Sequence, residues 1–131
     1  MDKIVVASSS APAAIGPYSQ AISVPASARM LYTSGQIGLD PKSGAMVEGG
    51  VEAEAKQVLA NLEAVLVAGG SRLSSVVRTT IFLVDMNDFQ KVNAIYGEAF
   101  KSAPPARATV AVAALPKGAR VEIDAVAMVV E

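Results

Sequence analysis

An α+β domain is the fold class this chain predicts, a mixed sheet with two helices packed on one face. Three observations lead there. Apolar residues recur at helical spacing in two separate stretches, 51–66 and 89–100. Around them lie short runs rich in Val, Ile and Tyr, several with period-two alternation and bounded by Gly, Pro or Asp. The 131 residues contain no linker, repeat or low-complexity tract, so 1–131 reads as a single domain with room for one core.

Taken in order, Ile4–Val6 reads as a first strand, and 8–16 as a Ser/Ala/Pro-rich loop. Residues 18–24 and 29–34 predict two strands joined through Pro25, with 35–39 continuing extended. Asp40-Pro-Lys-Ser-Gly44 is a turn, with Pro41 pre-setting φ. The first helix presents Val51, Ala55, Val58, Leu59, Leu62, Val65 and Leu66 on one side. Glu52 and Glu54 sit in its first turn, and Gly69-Gly70 ends it. Residues 76–84 form a strand. Asp85 or Asn87 then caps a second helix over 87–101, with Phe89, Val92, Tyr96, Ala99 and Phe100 inward. Pro104-Pro105 stops it. Residues 107–115 and 120–130 are the last strands, and the Pro116-Lys-Gly-Ala119 turn between them predicts a hairpin. The order is β-β-β-α-β-α-β-β.

Composition excludes several chemistries. Eleven basic and 12 acidic side chains nearly cancel to a net charge of −1, without a basic block, so a nucleic-acid footprint is not expected. Cys and His are both absent. That removes thiolate nucleophiles, disulfides, Cys/His metal sites and the commonest general base. No metal or cofactor is expected. The N-terminal residues read poorly as a signal peptide and no stretch approaches a membrane span, so a cytoplasmic protein without membrane association is the expectation. Apolar residues make up 52% of the chain, more than a small monomer hides easily, which predicts a homo-oligomer covering the open sheet face.

Arg107 stands out. It is the one charge between Lys101 and Lys117, in an otherwise apolar run. A guanidinium stays protonated, and burying it without an anion is costly, so either the protein or a ligand supplies a carboxylate or phosphate. Alternation puts Arg120, Glu122 and Asp124 on one face of the last strand, with Val121, Ile123 and Ala125 on the other. Arg107 and Thr109 share a face in the same way. Arg107 holding a substrate carboxylate while Glu122 handles a proton is one meaning; an internal Arg–Glu salt bridge is the other. Tyr18 follows a rigid Gly-Pro turn. Ser34-Gly35 combines a hydroxyl with a bare backbone suited to close ligand approach, although a strand-end bend is the commoner meaning of that pair. Asn93 is a polar residue near the apolar stripe of the second helix, placed to meet a ligand or to cap buried backbone.

These motifs together resemble the RidA (YjgF-type) reactive intermediate deaminase family across nearly the whole chain. They are Ala14-Ile-Gly-Pro-Tyr-Ser-Gln-Ala21, Thr33-Ser-Gly-Gln-Ile37, Gln57-Val-Leu-Ala-Asn-Leu62, Val84-Asp-Met-Asn-Asp-Phe89, Val92-Asn-Ala-Ile-Tyr96, Pro105-Ala-Arg-Ala-Thr-Val110 and the stretch 115–127. The resemblance implies a chorismate-mutase-like fold and a homotrimer with sites in clefts between subunits. It implies hydrolysis of 2-iminopropanoate and 2-iminobutanoate to 2-keto acids and ammonia. Within it, Arg107 matches the carboxylate-binding arginine and Glu122 the acid that positions water. Tyr18, Ser34, Gly35, Asn93 and Thr109 match substrate-pocket positions, with Thr109 where many bacterial members have Cys. Two alternatives stay open: a deaminase for a different imine in a dedicated catabolic pathway, and a translation-inhibiting endoribonuclease or ligand-binding trimer.

Overall fold

A computed structural model describes residues 2–131. Apolar periodicity produces the expected layers. Strands β1 (Ile4–Val6), β2 (Ala21–Ser23) and β3 (Met30–Tyr32) precede helix α1 (Gly50–Ala68). Strand β4 (Val76–Leu83), helix α2 (Phe89–Ala99), β5 (Ala106–Ala111) and β6 (Val121–Met128) follow. One face of α1 buries Val51, Ala55, Val58, Leu59, Leu62 and Leu66. They join Val92 and Tyr96 of α2 and the inward side of the sheet, Ile81, Leu83, Val121, Ile123, Ala125 and Ala127, in one core. Within β6 the expected alternation holds: Val121, Ile123 and Ala125 are buried, and Glu122 and Asp124 between them are not; Arg120, expected on the Glu122 face, instead precedes the strand and reaches Asp88 beside α2. No helix among the described residues is long and apolar enough to cross a membrane.

Three expectations need correction. The last two strands are not a hairpin. The main sheet runs β3-β6-β4-β5, with β4 and β5 parallel and β6 antiparallel to both its neighbours. The reason is that β4, α2 and β5 form a crossover unit, which commits β5 to the side of β4 that a right-handed connection reaches. Residue Val112 still bonds Leu83, and the chain then crosses the end of β4, where Val84 N–H donates to the Arg120 carbonyl. The Pro116–Gly118 turn belongs to that crossing. Second, β1 and β2 form a separate two-stranded sheet. Third, several elements are shorter than expected. Tyr18 lies in a turn ahead of β2, and β5 ends at Ala111. Helix α2 begins at Phe89 after a 3-10 turn, Met86–Asp88, where the Asp85 carboxylate accepts from Asn87 N–H at 2.9 Å.

Polar side chains lock the layers. Glu54, expected to serve the first turn of α1, is instead buried and accepts the Arg120 N–H at 2.8 Å. One Arg120 nitrogen donates to both oxygens of buried Asp88 at 2.9 Å.

Burial along α1 fixes the sign of two substitutions. Leu62→Ala, at a fully buried site, is expected to lower the unfolding free energy by about 2–5 kcal/mol. Val67→Ala, at a site 60% exposed, is expected to change it by no more than ~0.5 kcal/mol. Denaturant unfolding of both variants checks the pair.

Candidate active site

Arg107 is held by its surroundings without an anion. Strand β5 carries it in register with Thr79. Helix α2 presents Phe89, Asn93 and Tyr96 at i, i+4 and i+7, one stripe aimed at that point. The Asn93 Oδ1 accepts from Arg107 at 2.7 Å. The guanidinium carbon lies 4.9 Å from the Tyr96 ring centre, 5.4 Å from Tyr18 and 5.8 Å from Phe89. Ring faces attract a cation at such distances. Among the described residues no carboxylate pairs with Arg107, and the one salt bridge joins Arg120 to Asp88. Burial pulls the Arg107 pKa down from its ordinary value, partly opposed by Tyr96 and Tyr18. An arginine remains charged despite such a shift. The internal Arg–Glu bridge is therefore not what the fold builds; a receptive cation is.

Tyr18 reaches this place through its own loop. Gly16, at φ 128°, takes a conformation that side-chain-bearing residues avoid, and Tyr18 N–H closes onto the Gly16 carbonyl at 2.9 Å. Buried Ser19 then straps the segment to the head of β5. Its N–H donates to the Pro105 carbonyl at 3.1 Å and its hydroxyl to that of Pro104 at 2.5 Å.

Glu122 stands on the other side of the sheet. Thr79 shares a face with Arg107 and its hydroxyl meets the Tyr96 hydroxyl at 2.6 Å, so that face looks at the helices. Phe82, three residues along β4, pairs with Glu122. An odd separation along a strand means opposite faces. Glu122 thus looks onto the uncovered face, where Tyr32 is 74% exposed. Its neighbour is Gly35. The chain beyond β3 stays against β6, with Thr33 bonding Ala125 and Gln36 bonding Ile123. Tyr32 pairs with Val126 and Gln36 with Ile123, so four steps on one strand match three on the other. That is a bulge at Ser34-Gly35. A Cβ on Gly35 would fall 2.7 Å from the Glu122 Cδ and closer still to its Oε2, so any larger residue here would push the carboxylate from its place. Ser34 is exposed alongside.

The expected residues therefore fall into two half-sites. Tyr18, Asn93, Arg107 and Thr109 gather at the β5 edge on the helix side; Ser34, Gly35 and Glu122 gather on the open face. Phe89 and Tyr96 belong to the first group, although their spacing alone reads as core. The signal that finds them is the shared stripe with Asn93. Thr109 Oγ1 is the one buried side-chain oxygen or nitrogen among the described residues that lacks a partner, an arrangement that costs about 1–3 kcal/mol. Beside it opens a pocket of about 490 Å³ lined by Met86, Asn87, Phe89, Gln90 and Thr109. A second pocket, about 390 Å³ near Asp2, Arg29, Arg72 and Glu131, contains none of the candidate residues.

Fold and site together define a small α+β protein with a ring-lined arginine at a sheet edge that makes no ion pair among the described residues. The Endoribonuclease L-PSP family model matches residues 8–129, and the chain belongs to that family, the RidA/YjgF group its motifs resemble. It is 56% identical over 124 residues to the human 2-iminobutanoate/2-iminopropanoate deaminase, covering 95% of this chain and 88% of that one. A structure of a putative endoribonuclease from Thermotoga maritima superposes with TM-score 0.75 at 46% identity, covering 95% and 96% of the two chains. Escherichia coli TdcF with bound serine gives TM-score 0.71 at 35% identity, covering 95% and 98%.

Tyr96 offers a direct check on this geometry. Burial raises its pKa from 10.0 to about 12, opposed by the Thr79 hydrogen bond and by Arg107. Because the folded value lies above the unfolded one, the associated stability is complete below pH 10 and is lost as pH rises toward 12. Tyr96 is expected to give an ionisation step near pH 12 in an ultraviolet titration. Tyr96→Phe is expected to remove that step and flatten the fall in stability over the same range.

Proposed function

We propose that this protein is a cofactor-independent 2-imino acid deaminase, hydrolysing 2-iminopropanoate and 2-iminobutanoate to the 2-keto acids and ammonia. It works as a homotrimer in the cytoplasm and clears reactive imines released by other enzymes. The observation that carries the reading is Arg107, positively charged, hydrogen-bonded by Asn93, flanked by Tyr18, Phe89 and Tyr96, and free of any protein carboxylate among the described residues. The human relative's activity supports the substrate class, and the serine bound to TdcF supports a ligand of amino-acid size.

The chemistry needs little beyond positioning. Arg107 takes the substrate carboxylate on its fork, and Tyr18 packs over the same guanidinium. Ser34 and the bare backbone at Gly35 line the opposite wall. Glu122 orients a water, accepts its proton as the oxygen attacks the imine carbon, and hands that proton to the imine nitrogen to give the neutral carbinolamine. Glu122 then takes the hydroxyl proton and passes it to the amine as the C–N bond breaks, so ammonia leaves, the C=O bond forms and the carboxylate is regenerated. The absent His and Cys are no obstacle, because a carboxylate serves as the base.

Arg107 and Glu122 occupy opposite faces of one sheet, so a working site takes Arg107 from one subunit and Glu122 from the next. The exposed apolar surface at Tyr32 and Val110 supports such packing. The family's ribonuclease description suggests a second activity, but the −1 charge and the lack of histidine disfavour it.

Adding the protein to a serine dehydratase reaction is expected to speed ammonia and pyruvate release. Arg107→Ala is expected to lose this acceleration while keeping its fold by circular dichroism; an equally active variant would sink the assignment. Mixing is more telling. Co-refolded Arg107→Ala and Glu122→Ala subunits are expected to regain about a quarter of the wild-type rate, since random cyclic assembly restores that share of shared sites. Two inactive variants that stay inactive when co-refolded into trimers would refute the shared site.

A further inference from the structure

The pocket beside Thr109 has no role in the hydrolysis just described, and it adjoins the carboxylate-binding arginine through two shared walls. The Phe89 ring lies 5.8 Å from the guanidinium carbon and also lines the pocket. Thr109 is two residues beyond Arg107 on the same face of β5, roughly 7 Å along the strand. From the structure we infer that this space is the subsite for the substrate's side chain. It selects uncharged side chains that are longer than ethyl and end in a hydrogen-bonding group. The inference rests on the deaminase reading and adds a specificity to it.

Size comes first. The space is an open groove of about 490 Å³, so nothing along it limits a side chain to a methyl or ethyl group. Charge comes second. Met86, Asn87, Phe89, Gln90 and Thr109 include no ionisable group, so a charged side chain entering here would lose water without gaining a counter-ion. Polarity comes third. Asn87 and Gln90 place two exposed amides at the rim. Thr109 lines the pocket, while its Oγ1 is shielded from solvent and unpartnered. Rotation about χ1 exchanges hydroxyl and methyl at no change in volume. An acceptor seated in the pocket gives that rotation a partner to reach, whereas an alkyl group gives none. The same hydroxyl thus favours a polar side chain by relieving an unmet hydrogen bond.

An amino-acid oxidase acting on alanine, methionine and glutamine supplies three imines in place. They are short, long and apolar, and long with a terminal amide. The wild-type protein is expected to prefer the glutamine-derived imine over the methionine-derived one by about tenfold in kcat/KM, the scale of one neutral hydrogen bond. Thr109→Val and, independently, Gln90→Leu are expected to bring that ratio toward one; a ratio within each variant is insensitive to how much of it folds. Wild-type acceleration confined to the alanine imine, or an unchanged ratio in both variants, would overturn the subsite while leaving the deaminase intact. No acceleration of any imine would overturn the deaminase reading, and the subsite with it.

Discussion

Strand β4 is the constraint on which the molecule depends. It is hydrogen-bonded on both sides, to β5 in parallel and to β6 in antiparallel register, and each register carries one chemical group. Thr79 fixes Arg107 toward the helices; Phe82 fixes Glu122 away from them. A slip of one residue would turn every side chain of a strand to the other face. It would drive Ile81 and Leu83 out of the core together with the site, so hydrophobic burial itself guards the placement of the two charges. Because the two groups face opposite ways, the proposed hydrolysis asks for a second copy on geometric grounds, quite apart from the apolar surface that a second copy would cover.

Two arginines show how the fold separates structure from chemistry. Arg120 is paired within the chain, one of its nitrogens donating to both Asp88 oxygens while its backbone N–H meets Glu54. Both carboxylates are buried, and such an arrangement is costly to break but selects no ligand. Arg107 receives an amide oxygen and three ring faces. These offset part of the desolvation of a cation without cancelling its charge. A carboxylate in Asn93's place would satisfy the guanidinium internally and compete with an anionic substrate. The neutral amide orients the fork and leaves its attraction intact.

Much of this was legible in the sequence. The core faces of both helices follow from their 3.6-residue spacing, except at Val65, which lies on the edge of the stripe and is exposed, and the split between Val121, Ile123, Ala125 and Glu122, Asp124 follows from strict alternation. Arg107 could be singled out because charge is so sparse around it. Strand partnership was the part that local pattern does not encode. Pro116-Lys-Gly118 resembles a hairpin turn, yet the neighbour of β5 is chosen by the crossover through α2, a nonlocal decision. The double identity of Phe89 and Tyr96 was hidden for a related reason. An aromatic ring on an inward helix stripe looks the same whether it packs on valine or on a guanidinium, and only the register of β5 tells which.

The helices complete the logic by serving one half-site each. Helix α2 supplies Phe89, Asn93 and Tyr96 to Arg107. Helix α1 serves the other side through Asn61, whose amide donates to the Ile37 carbonyl at 3.2 Å and the Leu39 carbonyl at 2.9 Å. Gln57 orients that amide by donating to its oxygen at 2.8 Å. These bonds hold the segment just beyond Gly35, and hence the glycine that lies over Glu122. The two helices pack on each other, and Arg120 ties Glu54 of α1 and Asp88, the residue just ahead of α2, to the head of β6. One rigid layer therefore sets the position of both half-sites. In the cyclic assembly proposed above each subunit would contribute to two different sites, so the packing between α1 and α2 would fix the geometry of one site relative to its neighbour as well as within each.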